Sequence, residues 1–491
     1  MARARFAPSP TGPIHIGNIR TALFNYLFVR SSGSGNTMVL RIEDTDVQRS
    51  SGEYEKLIFN ELKWLGIEWD EGPDRGGHHG PYRQSERLET YRKYIESLIE
   101  EGKAYYCFCT PEELEEDKKK ALEEGDIPKY SGRCSRLAPE EIERYIREGR
   151  PATVRFKLPV NKPVIFDDMI KGRIEINSDT LGGDLVILKS DGMPTYNFAV
   201  VIDDHLMGIT HVIRGEDHLS NTPKQILLYE ALGWEKPLFA HAPLILGPDR
   251  TKLSKRHGNT YIGQYRDEGY LPEAMFNYLA LLSWSPDGER ELLTKEEIIQ
   301  QFRIDRVNKA NPVFDIDKLN WINSHYIRQS PAERIVELAI PHLIESGLMT
   351  GEEARERREW VKLVVEAVQE SLVKVSDITD RARIFFENSP SPKDDEAMEV
   401  LRGEHVKGLL QLFKAKLEGV EEVDEEICSG IFKAIQKETG IKGKSLFMPV
   451  RVAATGQCHG PDLMKTLLIL GKDRLIARIG YMLDNYVQGK E

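Results

Sequence analysis

The chain has 491 residues, 40% of them hydrophobic and 30% charged, the balance of an ordinary soluble protein of about three domains. No run approaches the ~18 apolar residues of a membrane span, and an amino end carrying Arg3, Arg5 and three prolines lacks a secretory apolar core, so a cytoplasmic location is expected. A net charge of −12 argues against nonspecific coating of nucleic acid but leaves room for local basic faces; five cysteines, three of them clustered, do not form a secreted disulfide framework.

Residues 2–7 alternate arginine with small or apolar residues, as a short strand does. Ile19, Leu23, Tyr26 and Leu27 then recur at helical spacing, to about residue 29. Between them, Ala7-Pro8-Ser9-Pro10-Thr11-Gly12-Pro13-Ile14-His15-Ile16-Gly17-Asn18 is a strand-to-helix turn. A helix start presents free N–H groups and partial positive charge, which favours phosphate, and His15 adds a donor. Taken alone, the pattern fits a purely structural turn equally well.

Met38-Val39-Leu40-Arg41-Ile42 reads as a buried strand delivering Glu43, Asp44 and Asp46 at its C-terminal end, where doubly wound sheets bind ligands. The same acids could instead cap the next helix, marked by Tyr54, Leu57, Ile58, Leu62 and Leu65. A helix over residues 91–101 precedes Cys107-x-Cys109; Cys134 follows after 24 intervening residues, with Tyr130 four positions before it. Charge-rich helices are expected over 114–124 and 139–149, and strands over 152–158, 163–167 and 172–176. Residues 184–189 and 194–198 are expected to return toward the first sheet.

Residues 210–213 form a strand ending in Arg214-Gly215-Glu216-Asp217-His218, where a salt bridge to Glu216 or Asp217 is the structural role open to Arg214. Thr222-Pro223 opens the next helix and Gly233 stops it. Residues 244–256 are a strand end followed by a basic loop with Lys252, Lys255 and Arg256. Strands ending near Arg5, Glu43 and Arg214 should therefore meet His15 and Lys255 at one crevice. An apolar helix spans 274–283, and from about residue 332 the chain reads as helix after helix, with 388–392 as a linker. Residues 440–451 hold Lys442, Lys444 and Arg451 and no acid: a phosphate-tracking surface or a solvated loop.

His15-Ile16-Gly17-Asn18 and Lys252-Leu253-Ser254-Lys255-Arg256 resemble the HIGH and KMSKS signatures of class I aminoacyl-tRNA synthetases. With Pro8-Ser9-Pro10-Thr11-Gly12 before the histidine, the chain resembles the bacterial-type glutamyl-tRNA synthetase family through most of its length. The resemblance implies an α/β fold with a doubly wound, Rossmann-like catalytic domain over 1–106 and 191–240. An α+β module (107–190) that holds the tRNA acceptor end would be inserted in it. A lysine-loop and stem-contact region (241–330) and an all-helical anticodon-binding region (331–491) would follow.

The resemblance also implies ATP with Mg²⁺, contacted by Pro8, Thr11, Gly12, His15, Gly17, Asn18 and Lys255, with His15, Lys252 and Lys255 catalytic. Activation is an in-line attack of a carboxylate on the α-phosphorus, so catalysis is mainly positioning and charge neutralisation. A glutamate pocket of Arg5, Ala7, Ser9, Glu43, Tyr196 and Arg214 is implied. In it Arg5 or Arg214 offers the planar fork that suits a γ-carboxylate, and Glu43 takes the ammonium group. The partners would be L-glutamate and tRNA(Glu), with tRNA(Gln) left open, and the protein a monomer. Lys442, Lys444 and Arg451 would contact tRNA.

Many bacterial members carry a zinc-binding Cys-x-Cys…Cys-x-His, and here Arg136 stands in place of that histidine. Arginine stays protonated and has no acceptor. Cys107, Cys109, Cys134 and the Tyr130 phenolate could complete a zinc tetrahedron; a metal-free knob is the alternative. A glutamyl-queuosine paralogue would lack the helical half, and a catalytically idle tRNA binder is opposed by intact His15, Lys252 and Lys255. In the family, an arginine in the helical half favours strict choice of tRNA(Glu); that position falls near Gln369, a lean toward relaxed choice.

Overall fold

The computed structural model describes residues 1–46, 49–123 and 129–487; Glu124, at the end of one expected helix, lies outside them. The chain divides into two compact units, 1–266 with 272–316, and 267–271 with 317–491.

The first unit is built on β1 (Arg3–Phe6), α1 (Ile16–Ser31) and β2 (Thr37–Leu40). β2 returns parallel to β1, with Arg3 opposite Thr37 and Phe6 opposite Leu40. Then come α2 (Gly52–Trp64), α3 (Leu88–Glu100), β3 (Ala104–Cys107), α4 (Pro111–Glu123) and α5 (Pro139–Arg147). They are followed by β4 (Thr153–Phe156), β5 (Pro163–Asp168), β6 (Gly172–Asn177), β7 (Leu185–Leu188) and α6 (Tyr196–Leu206). β8 (His211–Gly215), α7 (Thr222–Ala231) and β9 (Leu238–Ala242) complete the sheet.

The main sheet runs β2-β1-β8-β9-β5-β6, parallel except for the β5–β6 hairpin at its edge. Parallel strands are covered on both faces, which explains the unbroken burial of Ala4, Met38, Val39, Val212, Ile213 and Ala240. Phe198, Val201 and Ile202 of α6 and Ile226 and Leu228 of α7 close a core with Tyr91, Ile95 and Leu98 of α3.

α1 is buried well beyond the expected stripe, taking in Ala22, Phe24, Asn25 and Phe28. Two later helices, Pro272–Leu281 and Lys295–Gln301, cover its far side, where Tyr26 meets Phe276 edge-on at 6.3 Å and Phe24 lies 5.6 Å from Phe302.

Three expectations change here. Residues 184–189 do not return to the main sheet: β7 pairs antiparallel with β4 in a separate sheet, β3-β4-β7. Residues 194–198 are not a strand, since Tyr196 begins α6. The run Thr195-Tyr196-Asn197-Phe198 has strand-forming residue types, but Phe198, Ala199, Val201 and Ile202 are buried on a helical period. The Glu43–Asp46 acids do not cap α2 either. Ser51 does so, accepting from the Tyr54 amide at 3.3 Å, while Asp44 accepts from Ser85.

The second unit is helical from Ala332–Glu345 through Leu463–Asn485. Residues 388–392 are not a linker between units. They pack inside this one, where Lys393 donates its amide to Gly456 O at 3.0 Å. Gly456 has φ +76°, and a Cβ there would lie 2.3 Å from Ser391 O, so this loop requires glycine.

Candidate active site

The strand-to-helix turn and the lysine loop meet. His15 is the N-cap of α1, and its Nδ1 accepts from the Gly17 amide at 3.1 Å. The Gly17 N–H is therefore not free for phosphate, contrary to expectation. In exchange the ring's proton is confined to Nε2. Burial lowers the His15 pKa, and the Lys252 charge lowers it further, against a hydrogen bond with the Leu253 backbone. The imidazole is thus a neutral donor touching the lysine loop.

The Ile16 amide donates to Thr260 O at 2.9 Å, and His15 bridges Tyr261. Lys255 Nζ sits 5.2 Å above the Tyr261 ring, which faces His15 edge-on at 6.5 Å. His15, Gly17, Asn18, Lys252, Lys255 and Tyr261 line one cavity of about 510 Å³. Lys252 pairs with Asp217 at 3.6 Å, both half-exposed, so the contact is easily exchanged for a ligand.

Asp249 shapes the loop. It accepts from the Thr251 amide (2.9 Å) and hydroxyl (2.8 Å), from Arg256 (3.1 Å) and from His257 Nε2 (3.1 Å). The Thr251 amide is the main reason its carboxyl titrates well below the usual range. The His257 ring is seated against Gly247, where a Cβ would come within 2.8 Å of it.

A second cavity, about 280 Å³, adjoins the first, sharing Asn18, Thr21, Gly215 and Asp217. Arg5, Ala7, Ser9, Glu43, Tyr196 and Arg214 all line it. Pro8 and Thr11 line this cavity and not the larger one; Gly12 lines neither.

The two arginines differ. Arg5 is neutralised by Asp204 at 3.1 Å. Asp204 also holds Arg41 (2.7 Å), which reaches Glu43 at 3.0 Å and Asp203 at 3.8 Å with none of its side chain exposed. Burial pushes the Glu43 carboxyl up, partly offset by Arg41 and Arg5.

Arg214, 4% exposed, makes no salt bridge to Glu216 or Asp217. Its hydrogen-bond partners are His241 Nε2 (3.1 Å), Thr222 Oγ1 (2.8 Å), and more distantly Tyr196 OH and His218 O at 3.5 Å each. Glu216 instead pairs with Lys171.

Away from the cavities, the Tyr130 hydroxyl lies 3.4 Å from Cys107 Sγ and 3.6 Å from Cys109 Sγ, and Cys109 and Cys134 sulfurs are 3.5 Å apart. The three sulfurs lie within 4.8 Å of one another. Zinc–thiolate bonds of about 2.3 Å in a tetrahedron place sulfurs about 3.8 Å apart, so this donor set fits. Burial is the strongest influence on the Cys107 thiol and raises its pKa. The Tyr130 hydroxyl and Arg155 bring it down to about 7, whereas burial pushes Cys109 up to about 12. Arg136 points to solvent.

In the second unit, residues 440–451 are not one loop, since a helix spans Lys444–Thr455. Lys442 and Lys444 are exposed, Lys444 lying 3.7 Å from Glu396. Arg451 is turned inward, donating to Pro461 O at 2.7 Å. Gln369, 9% exposed, donates its amide to Ile327 O and Ser330 O, so it presents no base-reading group.

The family described as tRNA synthetases class I (E and Q), catalytic domain, matches residues 1–321, and the anticodon binding domain family matches 334–483. The chain belongs to the class I (E and Q) tRNA synthetases. It is 61% identical to glutamate–tRNA ligase 2 of Caldanaerobacter subterraneus subsp. tengcongensis, over 98% of this chain and 99% of that protein. It is 48% identical to a glutamate–tRNA ligase of Bacillus velezensis, covering 97% and 98%. A crystal structure of a glutamate tRNA ligase from Elizabethkingia meningosepticum in complex with its amino acid superposes with a TM-score of 0.88 at 36% identity, covering 99% of each chain. No helix among the described residues is long and apolar enough to cross a membrane.

In this class I synthetase the sequence reading did not single out Arg41, Asp203, Asp204, Asp168, His241 or Tyr261. Acids inside apolar helices and strands, such as Asp203-Asp204 after Val200-Val201-Ile202, were the available signal, because a buried acid demands a cation.

Proposed function

We propose that the chain is a glutamate–tRNA ligase. It would activate L-glutamate with ATP and pass the glutamyl group to the terminal ribose of tRNA(Glu). One observation carries the substrate: Arg214 is a buried cation at a cavity wall whose hydrogen-bond partners among the described residues are all neutral. A buried guanidinium with no carboxylate in direct contact is under-paired, and a ligand carboxylate would supply that contact as a bidentate fork. Glu43 on the same cavity supplies the opposite charge, suited to the α-ammonium group. Glutamine is isosteric but uncharged and would leave Arg214 unbalanced.

ATP would occupy the larger cavity. The glutamate α-carboxylate attacks the α-phosphorus, the bond to the β-phosphate oxygen breaks, and pyrophosphate leaves. Lys252 and Lys255, with His15 beside them, would meet the charge gathering on the phosphate oxygens. Mg²⁺ would accompany the nucleotide phosphates and neutralise their charge. A ribose hydroxyl of tRNA would then attack the acyl carbonyl, releasing AMP. Arg5, paired with Asp204, would fix the pocket floor. Lys442 and Lys444 would meet tRNA phosphates. Cys107, Cys109, Tyr130 and Cys134 would hold one structural zinc. Work in the cytoplasm, as a monomer, is part of this reading.

The test is charging of purified tRNA(Glu) and tRNA(Gln), each with glutamate and with glutamine. Glutamyl-tRNA(Glu) should form with ATP consumed; products carrying glutamine, or no charging at all, would contradict the assignment. The tRNA(Gln) arm decides whether the acceptor range is strict or relaxed.

A further inference from the structure

Behind Arg214 stand two buried residues that the activation chemistry does not use. β8 places Arg214 directly opposite His241 of β9, and β5 places Asp168 opposite Phe239 of the same strand. The side chains of Asp168 and His241 are fully buried. His241 Nδ1 donates to Asp168 Oδ2 at 2.6 Å. Asp168 Oδ1 accepts from the amides of Ile170 (2.9 Å), Lys171 (2.8 Å) and His241 (3.2 Å). These donors outweigh burial and hold the carboxyl below its usual range, so it stays ionised.

With its proton on Nδ1, the ring has only a lone pair at Nε2. That nitrogen accepts from Arg214 Nε at 3.1 Å and lies 3.1 Å from the Thr222 hydroxyl. Burial is the main reason the His241 pKa falls, which keeps the ring neutral. Thr222 Oγ1 in turn accepts from Arg214 Nη2 at 2.8 Å.

The countercharge of Arg214 is thus set one ring away from the guanidinium. A carboxylate in direct contact, as Asp204 is with Arg5, would satisfy the fork and compete with an incoming acid. An imidazole bond at Nε fixes the plane of the fork without neutralising it. We propose that His241, oriented by Asp168, is a positioning residue that sets glutamate-over-glutamine selectivity by aiming Arg214 while leaving its charge for the ligand. This inference rests on reading Arg214 as the γ-carboxylate receptor.

Asp168→Asn tests it, because an amide facing His241 forces the other tautomer and turns an Nε2–H against the Arg214 N–H. Steady-state activation with tRNA present should give a glutamate KM raised about tenfold or more. The glutamate-to-glutamine preference should fall in parallel, with the loss in neither kcat nor the KM for ATP. His241→Gln, whose Oε1 can still accept from Arg214, should recover most of the loss. His241→Asn, which keeps only the contact to Asp168, should not.

Arg214→Gln, measured alongside, separates two failures. If it collapses the preference while Asp168→Asn and His241→Asn leave the glutamate KM at the wild-type value, the positioning role is overturned and the receptor reading stands. If Arg214→Gln also leaves the preference intact, both are wrong. A measurement on the unmutated enzyme guards against misfolded variants: ¹⁵N-histidine NMR, with the His241 signal identified by its loss in His241→Gln. A proton on Nδ1 with a bare Nε2 is expected; a proton on Nε2 would overturn the proposal.

Discussion

The two adjoining cavities use positive charge in opposite ways. In the larger one, Lys252 and Lys255 are exposed, on a loop shaped by Asp249, and their partners are weak: a half-exposed Asp217 and the face of Tyr261. In the smaller one, Arg5 and Arg214 are nearly fully buried on strands, and Arg41, fully buried, holds Glu43 of its lining from outside the cavity; their partners are in place without a ligand. Cations that can move suit charge that appears during a reaction. Cations that cannot move suit choosing between two side chains of nearly the same shape.

Breaking the buried network should cost the most, and should cost stability. Arg41→Ala removes the ion-pair partner of Glu43 and leaves Asp203 to Arg87 and Asp204 to Arg5, and removing one partner of a buried pair costs about 3–5 kcal/mol. The urea midpoint of the first unit should fall accordingly; an unchanged midpoint would mean the network is dispensable. The lysine loop should behave inversely. Lys255→Ala should slow adenylate formation by about 10²-fold, as for loss of one preorganised donor, with the unfolding midpoint unmoved.

Local effects should be smaller. Cys109→Ser should release about one zinc per chain, measured by metal analysis of protein prepared without chelator, and loosen the β3-β4-β7 region while ATP still binds. Zinc-free wild-type protein would contradict this. Smaller again is a pH effect. His15, His205, His211, His218 and His241 have pKa values lowered mainly by burial, His218 to about 4. The unfolded chain therefore binds more protons below about pH 6.5. Their contribution is complete above that pH and is lost as pH falls through the lowered values. Tm should drop between pH 7.5 and 5.5; a flat profile would rule out neutral burial of these rings.

Local periodicity made the chain's strands and helices legible, and the two signature stretches marked the crevice. Less legible was what depends on residues far apart. Arg5 and Arg214 look alike as strand-end arginines, and only Asp204, 199 residues from Arg5, makes one of them a closed pair. His241 carries no local signal because its partners come from β8 and from the edge hairpin, and Asp168 shows only as an acid ending an apolar strand. Arg451 read as surface charge, yet its helix turns it onto Pro461 O. Residues 184–198 mixed strand-forming types with a helical burial period, and pairing with β4 decided between them.

The central claim is that Arg214 keeps its charge for a substrate carboxylate. The most direct measurement is the ratio of kcat/KM for glutamate to that for glutamine in Arg214→Gln, with tRNA and ATP saturating. Losing a charge-assisted contact should lower glutamate use by about 2 kcal/mol or more, with little change for glutamine, so the ratio should fall about 30-fold. Equal losses for both amino acids would make Arg214 a structural residue and contradict the account.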